Sequence, residues 1–481
     1  MQQSIRWSVG GLVILAWLGS SWAHNSLTGL LLAAIALIGV VWQPWFRTSA
    51  QSVPRPMPTT LTWAQVQQAL QATTQVLEML AEEAPARASG WQAALGHLGQ
   101  DAQRQQLRIG LMGEAGVGKS TLLAGLTHQW LPGLSRPCEL IESACPREGD
   151  IIVKTALQSA KGLPDIILFL TTGDLADAAY QQLTTLQGQR QRLVVVLTQI
   201  DRLLPGQMER LQQHLQERLP FAVNIIPIAV QPQPVKVRRH QVSGAVTEIW
   251  ETPEPILQPL ITHLNQVVQT DAEQLIWQQT YRQTRVLQQG LWGTLHQVRR
   301  DRALPLIERY QWISAATLFA NPLPALDLLA TSVITTKLIL ELGTLYRQRL
   351  SLAQAQGLAT VMAKLLIQLG IVELSTQTLM GFFKSNSLTF VAGGLCQGAS
   401  AAYLTRIAGL SLIEHFQILS EQETARVGCS TQGLEPIMRR VFESHQKLDL
   451  LKDLAQQTLK RLRPVLPHLD GHEPDTSTPS A

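Results

Sequence analysis

The sequence predicts an α/β fold, a parallel sheet with helices on both faces, set between an N-terminal transmembrane hairpin and a C-terminal all-α domain. Three observations carry this expectation. Between residues 105 and 268 short apolar runs alternate with helical segments, the pattern of a sheet covered on both faces. The first of those runs leads into Gly-x-x-x-x-Gly-Lys-Ser and then a helical pattern, which is the local context of a P-loop NTPase. Residues 7–46 contain no Asp, Glu, Lys or Arg, and residues 304–419 are apolar, helical in pattern and rich in small side chains.

A chain of 481 residues exceeds what one core supports. The expected division is a transmembrane hairpin (1–46), a linker (47–60), an amphipathic helical segment (61–104), a P-loop domain (105–268), a helical domain with possible membrane association (269–465) and a disordered tail (466–481). Only 15% of residues are charged, against roughly 25% in soluble domains, which points towards a membrane. A formal charge of +4 is small for this length. It gives no clustered basic face, so nucleic acid is not an expected partner. The short basic run at Lys236, Arg238, Arg239 and His240 reads as a solvated loop. The cysteines, Cys138, Cys145, Cys396 and Cys429, form no C-x-x-C pair and no zinc spacing, and read as free thiols in a reducing compartment.

The uncharged N-terminal run is interrupted by the polar His24-Asn25-Ser26, which makes it two spans in a hairpin. Trp7, Trp22, Trp42 and Trp45 lie near the span ends, where an indole suits the interface. Arg6, Arg47 and Arg55 flank the hairpin while its tip is uncharged, so both ends are expected in the cytoplasm. A cleavable signal peptide is the competing reading, because Arg6, an apolar run and Ser21-Trp22-Ala23 imitate one. After a Pro- and Ser-rich linker, Trp63, Val66, Leu70, Thr73, Leu77 and Leu80 recur at helical spacing over residues 62–84, where Pro85 ends the helix. Strands are expected at 107–112, 139–142, 165–171, 193–198 and 223–230, and a long helix at about 271–300. Residues 385–405 read as a buried helical pair, with a membrane segment as the alternative.

The phosphate loop is Gly113-Glu114-Ala115-Gly116-Val117-Gly118-Lys119-Ser120, followed by Thr121. Its glycines allow the tight turn that aims backbone N–H groups and a helix N-terminus at phosphates. Lys119 is expected on the β and γ phosphates, Ser120 on Mg²⁺ and Thr121 on the α phosphate. The run ending in Thr198-Gln199-Ile200-Asp201 stands where GTPases carry Asn/Thr-Lys-x-Asp. A carboxylate there accepts from guanine N1 and N2, donors that adenine lacks, so Asp201 favours GTP/GDP. As an alternative, Asp201 caps the following helix. Gln199 replaces a lysine whose stem lies along the base, which weakens affinity more than selectivity. Ala229, at the end of the expected strand 223–230, stands where GTPases use a backbone contact to guanine O6.

The Asp-x-x-Gly of the second switch is replaced by Glu142-Ser143-Ala144-Cys145, with Glu142 as the substitute ligand on the Mg²⁺ side. Cys145 followed by Pro146 replaces a glycine badly. The short stretch from Thr121 to that strand has no room for a first switch, and Asp165 and Asp174 flank the next strand without ending it. Arg147 reads as a surface residue beside Glu148, or as an internal arginine finger. No catalytic residue is assigned, and intrinsic hydrolysis is expected at or below about 10⁻⁴ s⁻¹.

On Gly113 to Thr121, Thr198 to Asp201, Leu168-Phe-Leu-Thr-Thr-Gly-Asp174 and Ala320-Asn-Pro-Leu-Pro-Ala-Leu-Asp327, the chain resembles the YcjF-like membrane GTPases of cyanobacteria over roughly residues 60–420. That family joins an Era-like GTPase domain to a helical domain of unknown function. The resemblance implies GTP binding at a membrane. The expected protein is an integral membrane GTP-binding protein with its GTPase domain facing the cytoplasm. Its expected partners are the lipid bilayer and an unidentified protein or a second copy. A slow switch that repositions the helical domain, a pseudo-GTPase scaffold and a P-loop ATPase are the three readings.

Overall fold

The computed structural model describes residues 60–142, 163–204, 206–240, 246–320, 324–384, 391–422, 433–445 and 457. The expected hairpin, nearly all of the linker, residues 143–162 with Cys145 and Arg147, and the expected tail lie outside them.

Two helices open the described chain, α1 (Trp63–Glu83) and α2 (Pro85–Asp101). The helical stripe of α1 is buried at Val66, Thr73, Val76, Leu77 and Leu80, and the Gln65 side chain accepts from the Thr62 N–H to fix its start. Pro85 does more than end α1. It occupies the first turn of α2, where its missing N–H has no partner to lose.

The sheet follows: β1 (Leu107–Gly113), α3 (Lys119–Gln129), β2 (Cys138–Glu142), β3 (Ile166–Thr171), α4 (Asp177–Gly188), β4 (Arg192–Leu197), α5 (Gln207–Arg218) and β5 (Asn224–Pro227). All neighbours pair in parallel in the order β2-β1-β3-β4-β5. Each of the five expected strands is present. Their apolar runs are continuous because both faces are covered. Leu107, Ile109, Leu111, Ile166, Leu168, Leu170, Val194 and Val196 feed one core, and Met112, Ile167, Phe169, Leu193 and Val195 feed the other. The architecture is a parallel five-stranded sheet with helices, joined to a helical C-terminal region.

A two-stranded antiparallel hairpin, β6 (Val235–His240) with β7 (Val246–Glu251), comes next, so the basic run read as a loop is a strand. Its lysine and arginine are solvated, but cross-strand bonds to Glu248 hold Lys236 and Arg238 in a ladder.

Then come α6 (Gln258–Thr270) and α7 (Ala272–Ala320), with only Asp271 between them. Helix α7 has 49 residues, which is about 73 Å at 1.5 Å per residue. It continues well past the expected end near Arg300 and carries Pro305 inside. Tertiary packing overrides that signal, because α7 enters three cores in succession. Ala272, Leu275 and Ile276 complete a sheet core. Leu287, Leu291, Trp292, Leu295 and Val298 pack with α1 and α2. Ala303, Ile307, Tyr310 and Ala315 enter the C-terminal core.

That last core belongs to a bundle of α7 with α8 (Pro324–Leu345), α9 (Leu352–Gln368), α10 (Ile371–Lys384), α11 (Val391–Glu421) and α12 (Leu434–His445). The expected helical pair within 385–405 is, over its described part, one continuous helix. Its glycines do not break α11. They let it approach α7, since a Cβ at Gly398 would lie 2.9 Å from the Ala315 carbonyl oxygen and one at Gly409 2.7 Å from Ile307. Helix α11 is buried all round at Ala399, Ala402, Tyr403, Ile407, Leu412, Ile413 and Phe416, as a central bundle helix must be. Among the described residues no single helix is long and apolar enough to cross a membrane.

Candidate functional site

The candidate site lies at the C-terminal ends of β1, β3 and β4, where parallel sheets bind ligands. Strand β1 ends at Gly113, whose φ is +148°. A Cβ there would lie 2.5 Å from the Leu170 carbonyl oxygen of β3. Only glycine lets the chain turn away so close to its neighbour strand. Gly116 (φ +81°) and Gly118 (φ +92°) complete the turn, and Gly118 is the left-handed cap that precedes α3. Between them Val117 is buried in the sheet core and pins the loop from beneath. Glu114, Ala115 and Gly116 are exposed at the rim.

Lys119 begins α3 and arches back over the loop. Its Nζ donates to the carbonyls of Gly113 (3.0 Å) and Glu114 (2.7 Å). An ammonium has three N–H donors, so one is left for a ligand oxygen. Ser120 follows, and its Oγ donates to Glu142 Oε2 at 3.3 Å. The end of β2 thus delivers Glu142 to the serine with which the sequence had paired it. A hydroxyl and a carboxylate side by side are a hard-oxygen pair of the kind that suits Mg²⁺. Thr121 is exposed in the first turn of α3.

On the other side, the end of β4 is tied to the phosphate loop. The buried Thr198 hydroxyl donates to the Val117 carbonyl (2.8 Å) and lies 3.2 Å from that of Thr171. Gln199, left-handed at φ +58°, donates from Nε2 to the Gly116 carbonyl at 3.1 Å. The glutamine is therefore a clamp between the two loops. Asp201 is exposed in a 3-10 turn, and its Oδ2 accepts the Gln233 N–H at 3.0 Å. That donor was not foreseen, because a backbone N–H carries no side-chain signal. Ala229 is buried, and its N–H donates to the Ile256 carbonyl at 3.1 Å in a reciprocal bridge.

Two aspartates noted in the sequence serve elsewhere. Asp174 bonds Arg218 at 2.8 Å. Its slight burial works upward, but Arg218 and the Leu175 N–H hold its carboxyl below the usual range. Asp165 lies at the start of β3, the sheet end opposite the phosphate loop, fully buried and paired with Arg104 and the Arg108 N–H. Burial pushes its carboxyl above the usual range against the pull of those partners. Nearby Arg282 of α7 donates to the Arg190 carbonyl and to Gln279, and burial lowers its guanidinium to about 10. Cys138, at the start of β2, has its thiol pushed up to about 11 by burial.

The model of a domain of unknown function, DUF697, matches residues 282–446. That range begins in the first quarter of α7 and runs past the end of α12. Two solved chains from an oligomerised bacterial dynamin pair, described as sensing and tethering membranes, align with 84% of this chain and 81% of their own. Their identities are 10% and 11%, each at a TM-score of 0.23. No curated protein matches the chain.

Proposed function

We propose that this chain is a membrane-anchored GTP-binding protein, a slow switch in which the nucleotide state acts on the C-terminal helical bundle. The observation that carries the reading is the convergence at the end of β1: the glycine turn, Lys119 with a free donor, and Ser120 beside Glu142. Backbone N–H groups of Gly116 to Ser120 hold the phosphates at the positive end of α3. Lys119 supplies the fixed charge between them. Ser120 and Glu142 would hold Mg²⁺, which neutralises phosphate charge when bound. Asp201, an exposed carboxylate, reads the guanine edge, and the Gln233 N–H keeps it in place. Thr198 and Gln199 make the base-reading turn and the phosphate loop one rigid frame. With Ala229 N–H engaged by Ile256, guanine discrimination rests on Asp201. The uncharged run at residues 7–46 is the anchor.

A second reading, a pseudo-GTPase that binds nucleotide as part of a membrane scaffold, draws on a specific observation. Residues 130–137, which join α3 to β2, contain no threonine that a first switch would use. Titration of Mg²⁺-GTP, GDP and ATP into the detergent-solubilised full chain tests the binding claim. Equal affinity for ATP and GTP would overturn the guanine assignment. Single-turnover hydrolysis separates the two readings: the switch turns over at or below about 10⁻⁴ s⁻¹ without a partner, whereas the scaffold binds tightly with no turnover.

A further inference from the structure

The three cores that α7 crosses are separated by two polar joints. Between Ile276 and Leu287 the buried positions of α7 are Gln279, Thr280, Gln283 and Thr284. Between Val298 and Ala303 stands Arg299, 1% exposed. Such joints add little apolar burial to hold a long helix against its neighbours. Helix α1 runs beside α7 in the same direction and is fastened to it before the first joint, at Gln274, and at the second, on Arg299.

At the lower end, the Leu61 N–H donates to Gln274 Oε1 (3.1 Å) and Gln274 Nε2 donates back to the Leu61 carbonyl (3.0 Å). Leu61 is buried, and the Trp63 and Trp277 rings lie 6.3 Å apart. At the upper end, Arg299 takes Glu83 in a forked grip, Nη2 to Oε1 at 2.8 Å and Nε to both oxygens at 3.2 Å. Arg347, in the turn just after α8, reaches the same carboxylate at 3.3 Å and Glu82 at 2.6 Å. Arg302 donates to the Glu83 carbonyl. The Arg299 guanidinium also lies 5.8 Å from the centre of the Tyr346 ring, and His296, one turn earlier, meets Glu421 at the end of α11 at 3.0 Å. Glu83 therefore joins α1, α7 and α8 at the plane where the middle core gives way to the bundle core.

We propose that α1 is a splint along α7, latched by Glu83, that makes the sheet domain and the C-terminal bundle one mechanical unit. Without the latch, α7 is free to flex at Arg299, and the bundle opens independently of the sheet. The splint itself needs no nucleotide. Its use as a transmitter rests on the function proposed above.

Hydrogen exchange on the full chain in detergent, without nucleotide, tests the latch. In Glu83→Gln, amides of α8, α11 and the α7 segment after Arg299 are expected to exchange at least about ten-fold faster, while those of β1, β3 and β4 keep their rates. Gln274→Ala, a milder change at the lower fastening, is expected to speed exchange at the start of α1 alone. Unchanged bundle exchange in Glu83→Gln, or an equal acceleration in sheet and bundle, would overturn the proposal. Adding Mg²⁺-GTP supplies the second arm. In the wild type the nucleotide should slow exchange in α11, and in Glu83→Gln that effect should stop at the sheet domain with the GTP affinity unchanged. If Glu83→Gln transmits fully, the splint is not the transmitter. If the wild type binds no nucleotide, the proposed function fails while the first arm still decides the latch.

Discussion

Gly113→Ala should damage the phosphate loop far more than Gly116→Ala, although both glycines have positive φ. At Gly113 the added methyl carbon would sit 2.5 Å from the Leu170 carbonyl oxygen, 3.1 Å from Val117 Cγ2 and 3.2 Å from Leu170 Cβ. The nearest atom is backbone of the adjacent strand, so no rotamer change relieves the overlap. Backbone strain at positive φ contributes about 1–3 kcal/mol. Forcing β1 away from β3 adds about another 1–3 kcal/mol, as overpacking of a filled core does. The sum is about 4 kcal/mol, a large share of the 5–15 kcal/mol that holds a typical domain. At Gly116 nothing lies within 4 Å, so Ala there costs only the left-handed backbone term, about 1–2 kcal/mol. Urea unfolding of the detergent-solubilised full chain, followed by amide exchange in β1 and β3, measures both. Gly113→Ala should lower the stability of those strands by about 2–3 kcal/mol more than Gly116→Ala. Equal losses would refute the close approach of the loop to β3 on which the site geometry depends.

Cys138 should react slowly with iodoacetamide. Its thiol is pushed up to about 11, so at pH 8.5 its thiolate is scarcer than that of a free cysteine by about two orders of magnitude, as peptide-level mass spectrometry would register. The sign for stability follows from the same shift. An acid whose folded value is raised keeps its proton while the unfolded chain has lost it, so its contribution is full below pH 9 and is lost as pH rises towards 11. Cys138→Ala should flatten that alkaline decline, and an unchanged decline counts against the assignment. In the bundle, Gly409→Ala meets Ile307 at 2.7 Å and should destabilise by about 1–2 kcal/mol. Gly357→Ala on α9 meets nothing within 4 Å and should stabilise by about 0.5–1 kcal/mol. A melting temperature that rises for both would mean α7 and α11 are not in close contact at Gly409.

The nucleotide-type fold was legible because a parallel strand covered on both faces leaves a continuous apolar run, and because Gly113 to Ser120 stands at the end of the first. Ser120 and Glu142 were each named from the sequence on the Mg²⁺ side; their direct hydrogen bond follows from the sheet, which brings the end of β2 to the start of α3. The β6–β7 hairpin was not. Lys236 and Arg238 made the run look solvated, and only the partner strand with Glu248 shows that the charges stand on a ladder. The length of α7 was hidden by Pro305, which stands just past the expected end and inside the observed helix, where packing in the C-terminal core overrides it. Residues 385–405 read as a helical pair; that their described part belongs to one helix, packed through Gly398 and Gly409 on Ala315 and Ile307, is a tertiary fact. Gln199 looked like a weakened lysine, whereas its amide spans to Gly116.

The most direct test of guanine recognition is the nucleotide preference of Asp201→Asn in the full chain. Its side chain keeps the shape of aspartate but replaces one acceptor oxygen with a donor, which matches the carbonyl that xanthine carries where guanine has an amine. The wild type should prefer GDP to XDP, and Asp201→Asn should reverse that order, with Lys119→Ala binding neither. Asp201→Asn that keeps the wild-type order of GDP over XDP would contradict base reading by Asp201 and leave it only the structural role of holding the Gln233 N–H.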